Sequence, residues 1–184
     1  MSRKQLFFIV IFFGSCTLQA QEYSVRTNIL NLFAKGPSIA IGKQIFTNSE
    51  ALLTFSQGKY SPFFIVDKYS FITAHLENRW EAGISHFYGE TYVGPYVRFI
   101  HQEIYFDQEN PTWYNRKSRD FRGDGISLGV STGTQWEIAD VWFVDLNTMI
   151  GYGKYVKQFD PLNPEKRNGF LDLRLALQFG LRFN

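Results

Sequence analysis

The sequence predicts an all-β protein, an eight-stranded antiparallel up-and-down transmembrane β-barrel. The stretch from Gly169 to Asn184 alternates large apolar residues with polar or small ones, which is the period of a strand and not of a helix. The same two-residue period recurs along the chain from Tyr23 onwards. Aromatic residues make up 18% of the 184 residues although the mean hydropathy is −0.20. A wall with one lipid face and one polar face combines these properties.

The final strand has the length of a membrane span. Its thirteen residues from Leu171 to Phe183 extend about 40 Å at about 3.3 Å per residue. A tilt of about 40° reduces this length to about 30 Å, the thickness of the hydrocarbon layer. Asp172 and Arg174 lie on the opposite face from the leucines, so the sequence predicts charged groups inside the barrel.

The first twenty residues have the pattern of a signal peptide. Arg3 and Lys4 form a short basic region, Leu6–Phe13 is an apolar core, and Leu18–Ala20 fits a cleavage site before Gln21. The apolar core is too short to cross a bilayer as a helix. We therefore expect 1–20 to be removed on export and 21–184 to form one barrel domain.

Cys16 is the only cysteine and lies within this signal peptide. The mature chain would then have no thiol and no disulfide. An alternative is that Phe13–Cys16 is a lipoprotein processing site with Cys16 acylated, although Phe stands where Leu is usual. The sequence leaves open whether Cys16 is lipidated or removed.

The first four predicted strands are separated by breaks and polar turns. Their predicted bounds are Tyr23–Leu32, Ser38–Phe46, Ala51–Gln57 and Tyr69–Trp80. The first strand ends before the break at 34–37, and the second ends at a tight turn over 47–50. The third strand is short and precedes a loop over 58–68. The apolar patch Phe63–Val66 in that loop could instead extend a strand.

The last four predicted strands enclose the most polar part of the chain. Their predicted bounds are Glu90–His101, Gly125–Trp136, Val141–Tyr155 and Gly169–Asn184. Pro95 lies inside the fifth strand and predicts a bulge or a locally unpaired amide. Residues 102–124 and 156–168 are predicted to be loops because they are polar and lack alternation.

The connections alternate between short and long. The short ones, 47–50, 81–89 and 137–140, are predicted to face the periplasm together with both termini. The long ones, 58–68, 102–124 and 156–168, would face outside. An even number of strands permits closure, which leaves no unpaired edge facing lipid.

Several segments resemble those of known barrel families. The signal peptide, the eight alternating runs and the ending LRLALQFGLRFN are similar to small outer-membrane barrels of the OmpA and OmpX type. The segments SVRTNILNLFAKGPSIAIGKQIF, YVGPYVRF and DLNTMIGYG resemble an uncharacterised domain-of-unknown-function family of such barrels in Gram-negative bacteria. This resemblance implies an outer-membrane location and transfers no catalytic residue. It also implies that the C-terminal strand, with Phe183 next to last, is recognised by the barrel-assembly machinery.

A polar lumen is the first candidate site. The inward polar set predicted from the alternation comprises Arg26, Asn28, Glu77, Arg79, Arg98, Asp145, Asp172 and Arg174. The lumen of an eight-stranded barrel is just wide enough to be filled by side chains, so these groups should form salt bridges with one another in place of an open pore. A small ion or ligand site is the alternative.

Enzymatic chemistry is weakly indicated. Some barrels of this size are lipid A deacylases with a His and a Ser two residues apart on one lipid-facing strand. None of His75, His86 and His101 has a Ser two positions on, so we predict that the protein is not an enzyme. A barrel enzyme acting on lipid A or phospholipid remains the alternative. No cofactor is predicted, and no His or Cys pair has metal-ligand spacing.

The long loop over 102–124 holds the predicted surface contacts. Its aromatic and basic residues could contact lipopolysaccharide phosphates, although solvated loop charge also explains them: Trp113, Tyr114, Arg116, Lys117 and Arg119. Arg122–Asp124 is the tripeptide that integrins recognise in adhesive proteins, and an ordinary turn before the sixth strand is the simpler interpretation.

The expected partners follow from this assignment. They are membrane lipids, lipopolysaccharide and the barrel-assembly machinery, with an unidentified surface ligand. Nearly balanced charge, 19 basic against 17 acidic residues, argues against nucleic acid. A secreted lipocalin-like barrel with its apolar face inside is a further alternative, but it would crowd the large apolar groups into the lumen.

Overall fold

The computed structural model describes residues 22–60, 68–86, 89–105, 120–159 and 168–183. Alternating residues form eight strands, because each strand can direct one face outwards and the other to the lumen. The strands are β1 Tyr23–Asn28, β2 Ser38–Phe46, β3 Ser49–Tyr60, β4 Lys68–His86, β5 Gly89–Tyr105, β6 Phe121–Glu137, β7 Trp142–Gln158 and β8 Gly169–Phe183. A 3-10 helix, Ile29–Leu32, follows β1. Within the described ranges, no helix has the length and apolar character needed to cross a bilayer.

Each strand pairs antiparallel with the next, and β8 pairs with β1 to close the ring. The closing register places Tyr23 opposite Phe183 and Asn28 opposite Gln178. This arrangement confirms the predicted eight-stranded antiparallel up-and-down barrel.

The two faces of the wall differ as the alternation predicts. In β8, Leu171, Leu173 and Leu175 are 65%, 62% and 57% exposed, whereas Asp172 is 1% exposed. The other strands repeat this pattern, with Ile72 and Leu128 outside and Thr73 and Ser127 inside. The lipocalin-like alternative is wrong, because the large apolar side chains lie outside the barrel and the polar ones lie inside.

Several strands are longer than predicted. β3 continues to Tyr60, β4 to His86, β5 to Tyr105 and β7 to Gln158, and β6 begins at Phe121. The predicted loop over 102–124 and turn over 81–89 are therefore partly strand. The backbone ladder continues beyond the apolar span because its hydrogen bonds do not depend on apolar side chains. The apolar patch at 63–66 lies outside the described residues.

The beginning of the barrel also departs from the prediction. β1 ends at Asn28 and not at Leu32, because the Asn28 side chain accepts a hydrogen bond from the Leu30 amide and caps the 3-10 helix. The turn after β2 contains only residues 47–48, so Ser49 and Glu50 belong to β3.

Pro95 interrupts the ladder as expected of a residue without an amide hydrogen. β5 pairs with β4 at Val93 and Tyr96, whereas Gly94 and Pro95 have no partner in β4. The register is the same on both sides of this interruption, so Pro95 causes an unpaired stretch and no bulge. On its other edge, β5 remains paired with β6, where Pro95 lies opposite Val130.

Candidate functional site

The half of the lumen nearer the chain termini contains a cluster of ion pairs centred on Asp145. This carboxylate comes from β7 and accepts hydrogen bonds from Arg26 of β1 at 3.0 Å and Arg79 of β4 at 2.6 Å. The Tyr92 hydroxyl of β5 donates to its second oxygen at 2.7 Å. Asp145 therefore links three strands across the lumen, and it is fully buried.

Each arginine in this cluster has a second carboxylate partner. Arg26 pairs with Glu50, and Arg79 donates from Nε to Glu77 Oε1 at 2.8 Å. Asn147 then joins the network by donating to Glu77 at 3.2 Å and to the Tyr92 hydroxyl at 2.8 Å. These bonds compensate for the cost of burying the charges.

Aromatic rings complete the packing around the two guanidinium groups. The guanidinium of Arg26 lies 4.7 Å from the ring centre of Phe143, and that of Arg79 lies 4.2 Å from the ring centre of Tyr92. Both distances are within the range of cation–π attraction. The cluster thus occupies the terminal-side half of the lumen with paired groups.

The other half of the lumen has a different balance of charge. Arg98 pairs with Asp172, and the Ser127 hydroxyl donates to the same carboxylate. Arg174 Nη1 lies 2.8 Å from Nδ1 of His75. Among the described residues no carboxylate forms an ion pair with Arg174, so this half holds two guanidinium groups and one carboxylate.

The predicted lumen residues are thus divided into two clusters. The terminal-side cluster, around Asp145, contains two arginines and three carboxylates and comprises Arg26, Glu50, Glu77, Arg79 and Asp145. The far-side cluster comprises Arg98, Asp172, Arg174 and His75. Asn28 is buried as predicted but belongs to neither cluster. Its side-chain oxygen accepts from the amides of Leu30 and Leu177.

Sequence reasoning missed some members of these clusters. Glu50 was assigned to a turn, yet it shares the inward parity of Leu52 and Thr54, and extending the alternation would have included it. His75 and Tyr92 also face the lumen, which agrees with the alternation in β4 and β5, but neither is in the predicted inward set. No local pattern could have indicated that the Tyr92 hydroxyl contacts Asp145, because the two residues are 53 positions apart.

Two of the cavities that the described residues line lie at opposite ends of the lumen. One, of about 60 Å³, lies at the terminal-side mouth and is lined by Ser24, Glu50 and Arg79 among others. The second, of about 520 Å³, lies at the far side and is lined by Arg98 and Arg174 together with residues of the first connection. The two cavities have no lining residue in common.

The predicted outer-loop contacts are only partly described. Trp113, Tyr114, Arg116, Lys117 and Arg119 lie outside the described residues. Arg122 and Asp124 belong to β6, so the predicted loop or turn at this tripeptide is wrong. Arg122 donates to Glu103 at 2.9 Å, and Asp124 lies 2.5 Å from Nδ1 of His101. An extended strand paired on both edges does not present the tripeptide at a loop tip.

These four residues form a polar group on the outer surface of the wall. His101 and Glu103 alternate with the buried Ile100 and Gln102, which places the first pair outside. The Ser70 hydroxyl donates to Glu103 at 3.3 Å and makes no hydrogen bond to the His101 ring within the described structure. The nucleophile–base contact of a serine hydrolase is therefore missing there. No group of metal-binding side chains was found in the described ranges.

The chain matches one protein-family model over most of its length. A family model described as "Protein of unknown function (DUF3575)" matches residues 6–170. No curated protein sequence matches the chain. The crystal structure of Neisserial surface protein A is similar at a TM-score of 0.49 and 14% identity, over 88% of this chain and 94% of that one. The N-terminal β-barrel domain of Pseudomonas aeruginosa OprF is similar at a TM-score of 0.47 and 12% identity, over 89% of this chain and 96% of that one. The fold itself is established by the antiparallel pairing of the eight strands and by the pairing of β8 with β1.

Proposed function

The chain belongs to the DUF3575 family, and from this premise we propose that it is an integral outer-membrane barrel of structural or surface-interaction type in a Gram-negative bacterium. One observation carries the proposal, the opposite polarity of the two faces of a closed wall. Leu128 and Val130 are 64% and 50% exposed outside, while Asp145 is fully buried inside. Lipid tails can cover such an outer surface, and the pairing of neighbouring strands satisfies the backbone groups along the ladders.

The connections support one orientation in the membrane. The strands are joined at the terminal-side mouth by residues 47–48, 87–88 and 138–141, and at the far side by longer segments. Short turns face the periplasm in outer-membrane barrels. The termini would then lie in the periplasm, consistent with a signal peptide over 1–20, and the longer segments would provide the outer surface.

Heat-dependent gel mobility is the first test. A closed barrel resists unfolding by detergent until it is boiled, so the unboiled chain should migrate faster than the boiled chain and should be recovered with outer-membrane fractions. Recovery in the soluble periplasmic fraction, with no change of mobility on boiling, would contradict the proposal.

A conductance measurement tests the filled lumen. The ion pairs of Arg26 and Arg79 with Asp145 cross the terminal-side half, so the reconstituted protein should show no steady conductance above leak in a planar bilayer. Stable open channels in the wild-type protein would contradict a structural role and favour an ion path through the lumen.

The outer end of the barrel would contact lipopolysaccharide. Arg122 is exposed near the start of β6. Lys157, near the end of the neighbouring β7, lies 4.6 Å from the ring centre of Phe159. Both are cations that could bind phosphate. Replacing both with Ala should lower the amount of co-purifying lipopolysaccharide, whereas Lys43→Ala, in β2 near the opposite mouth, should not.

A lipid-modifying enzyme is the second candidate function, and one observation favours it. Ser70, His101 and Asp124 lie on the same outer surface, and the His101 ring contacts the Asp124 carboxylate at 2.5 Å. A conformational change would have to bring the Ser70 hydroxyl from Glu103 to the His101 ring. Hydrolysis of lipid A or phospholipid by the wild type that is abolished in both Ser70→Ala and His101→Ala would establish this second candidate.

A further inference from the structure

The barrel wall is incomplete on one side of its far-side half. β8 pairs with β7 from Gly169 to Leu181, but it pairs with β1 only over Gln178–Phe183. β1 ends at Asn28, so none of the described strands lies beside residues 169–177 of β8 on that edge. The neighbouring wall there is the segment 29–37, which contains the 3-10 helix.

Within the described residues, the hydrogen bonds that join the segment 29–37 to a strand other than its flanking strands β1 and β2 go to β3. The Asn31 side chain donates to the Gln57 carbonyl at 2.7 Å, the Gln57 amide donates to Pro37 at 3.0 Å, and the Lys59 amide donates to Ala34 at 2.6 Å. Within the described structure no hydrogen bond joins 29–37 to β8, and the Leu177 amide donates instead to the side chain of Asn28, the last residue of β1, at 3.2 Å. We refer to this weakly joined boundary between 29–37 and β8 as the lateral seam.

The cavity of about 520 Å³ lies at the lateral seam. Its lining includes Leu173 and Leu175, which face lipid, and Arg174, which faces the lumen. Adjacent residues of a strand point to opposite faces of the wall. All three residues belong to the free edge of β8, and Leu30 and Phe33 line the same cavity from the other side of the lateral seam.

The outer part of this cavity is apolar. Leu30 and Phe33 of the first connection line it together with the two β8 leucines, and Phe33 is 80% exposed. The inner part is polar and positively charged. Arg174 has the His75 ring as its contact, and the buried Nε of Arg98 has no hydrogen-bond partner. Asp172, the carboxylate of this half, is already bound by Arg98 and Ser127.

We propose that the lateral seam binds a single-chain amphiphile with an anionic carboxylate or phosphate headgroup. The headgroup accepts hydrogen bonds from Arg174 beside the Arg98 guanidinium, and the chain lies against Leu30, Phe33 and Leu173. Guanidinium groups bind both anions well, and the cavity volume is within the roughly 300–1,000 Å³ typical of ligand sites. The ligand would compensate the unpaired charge of Arg174. The proposal depends on a lipid-facing wall, which the gel-mobility test examines separately.

Native mass spectrometry of the chain refolded in a non-ionic detergent tests the proposal, since refolding from denaturant removes lipids acquired in the cell. Four probes separate the two parts of the ligand: palmitate and hexadecyl phosphate carry both parts, hexadecanol carries only the chain, and inorganic phosphate carries only the anion. The two anionic amphiphiles should bind at a one-to-one ratio, at least about tenfold more tightly than either of the other probes. Equal binding of hexadecanol, or equal binding of inorganic phosphate, would overturn the proposal.

Two variants locate the site. Arg174→Gln should weaken palmitate binding about ten- to hundredfold, the usual effect of losing a charge-assisted hydrogen bond. Arg182→Gln, at the opposite mouth, is the matched control and should bind as the wild type does. Unchanged palmitate binding by Arg174→Gln would overturn the proposal.

The second variant keeps both arginines. Thr73 lines the cavity from β4 and is buried, so Thr73→Phe should fill part of the space and reduce binding of all long-chain probes. Heat-dependent gel mobility of each variant establishes that it is folded. A folded Thr73→Phe variant that binds palmitate normally would place the ligand elsewhere and overturn the assignment.

Discussion

Replacing Asp145 with Asn should strongly destabilise the barrel. The fully buried Asp145 carboxylate accepts hydrogen bonds from Arg26 at 3.0 Å, from Arg79 at 2.6 Å and from Tyr92 at 2.7 Å. Asn has nearly the same shape, but it lacks the charge and directs an NH₂ group towards one of these donors. Loss of one partner from a buried ion pair costs about 3–5 kcal/mol.

The remaining partners set the expected value at the lower end of that range. Arg26 keeps Glu50 and Arg79 keeps Glu77, so neither guanidinium becomes wholly unpaired. We expect Asp145→Asn to lower the free energy of unfolding by about 3 kcal/mol. Urea-induced unfolding in lipid vesicles, followed by tryptophan fluorescence and by gel mobility without boiling, measures this change.

Asp124→Asn is the matched control on the outer surface. The Asp124 side chain is 43% exposed and contacts His101, so its loss should cost less than about 1 kcal/mol. A double variant, Asp145→Asn with Arg79→Gln, should lose less stability than the sum of the two single variants, because the groups share one network. A loss of less than about 1 kcal/mol in the free energy of unfolding of Asp145→Asn, or a loss no larger than that of Asp124→Asn, would refute the central role of Asp145.

Three further substitutions examine other parts of the wall, each by unfolding in vesicles unless stated otherwise. Leu128→Arg should lower the free energy of unfolding by about 2–4 kcal/mol, because it places a charge among lipid tails. Ile138→Arg, in a turn, should lower it by at most about 1 kcal/mol. Equal losses would contradict the lipid-facing position of Leu128. Gly151→Val should cost about 1–3 kcal/mol, since a Cβ there would overlap the Tyr96 hydroxyl and the backbone of β6, and an unchanged free energy of unfolding would show that the packing relaxes. Asn31→Ala should increase amide hydrogen exchange over 29–37 by about tenfold or more, because the Asn31 side chain holds this segment to β3. The free energy of global unfolding should change less than the local opening free energy does. Unchanged exchange would contradict that role.

Much of the candidate site was predictable, because alternate residues of a strand point to opposite faces of the wall. Arg26, Arg79, Asp145 and Asp172 were assigned to the lumen from alternation alone, and all four are buried there. Their pairing was not predictable, since it depends on which residues of different strands lie at the same level along the barrel axis. Arg26 and Asp145 are 119 positions apart, and no local pattern relates two such residues.

The boundaries of the strands show a second limit of the sequence. Polar residues such as Glu103 and Arg122 were assigned to a loop because they lack apolar alternation, yet they pair across β5 and β6. Backbone hydrogen bonds continue a ladder wherever the partner strand also continues. Neither strand by itself contains that information.

By itself the sequence determined the fold class, the number of strands and the face to which each side chain points, because an extended chain has a local period of two that apolar residues reveal. The tertiary structure decided how the lumen charges are distributed between two clusters and where the wall is open. Both depend on the register of the strands. β1 ends at Asn28, and β8 continues past it with a free edge. Arg174 lies on that edge, contacts His75, and forms no ion pair with a carboxylate of the described residues. Such a juxtaposition exists only once distant strands are placed side by side.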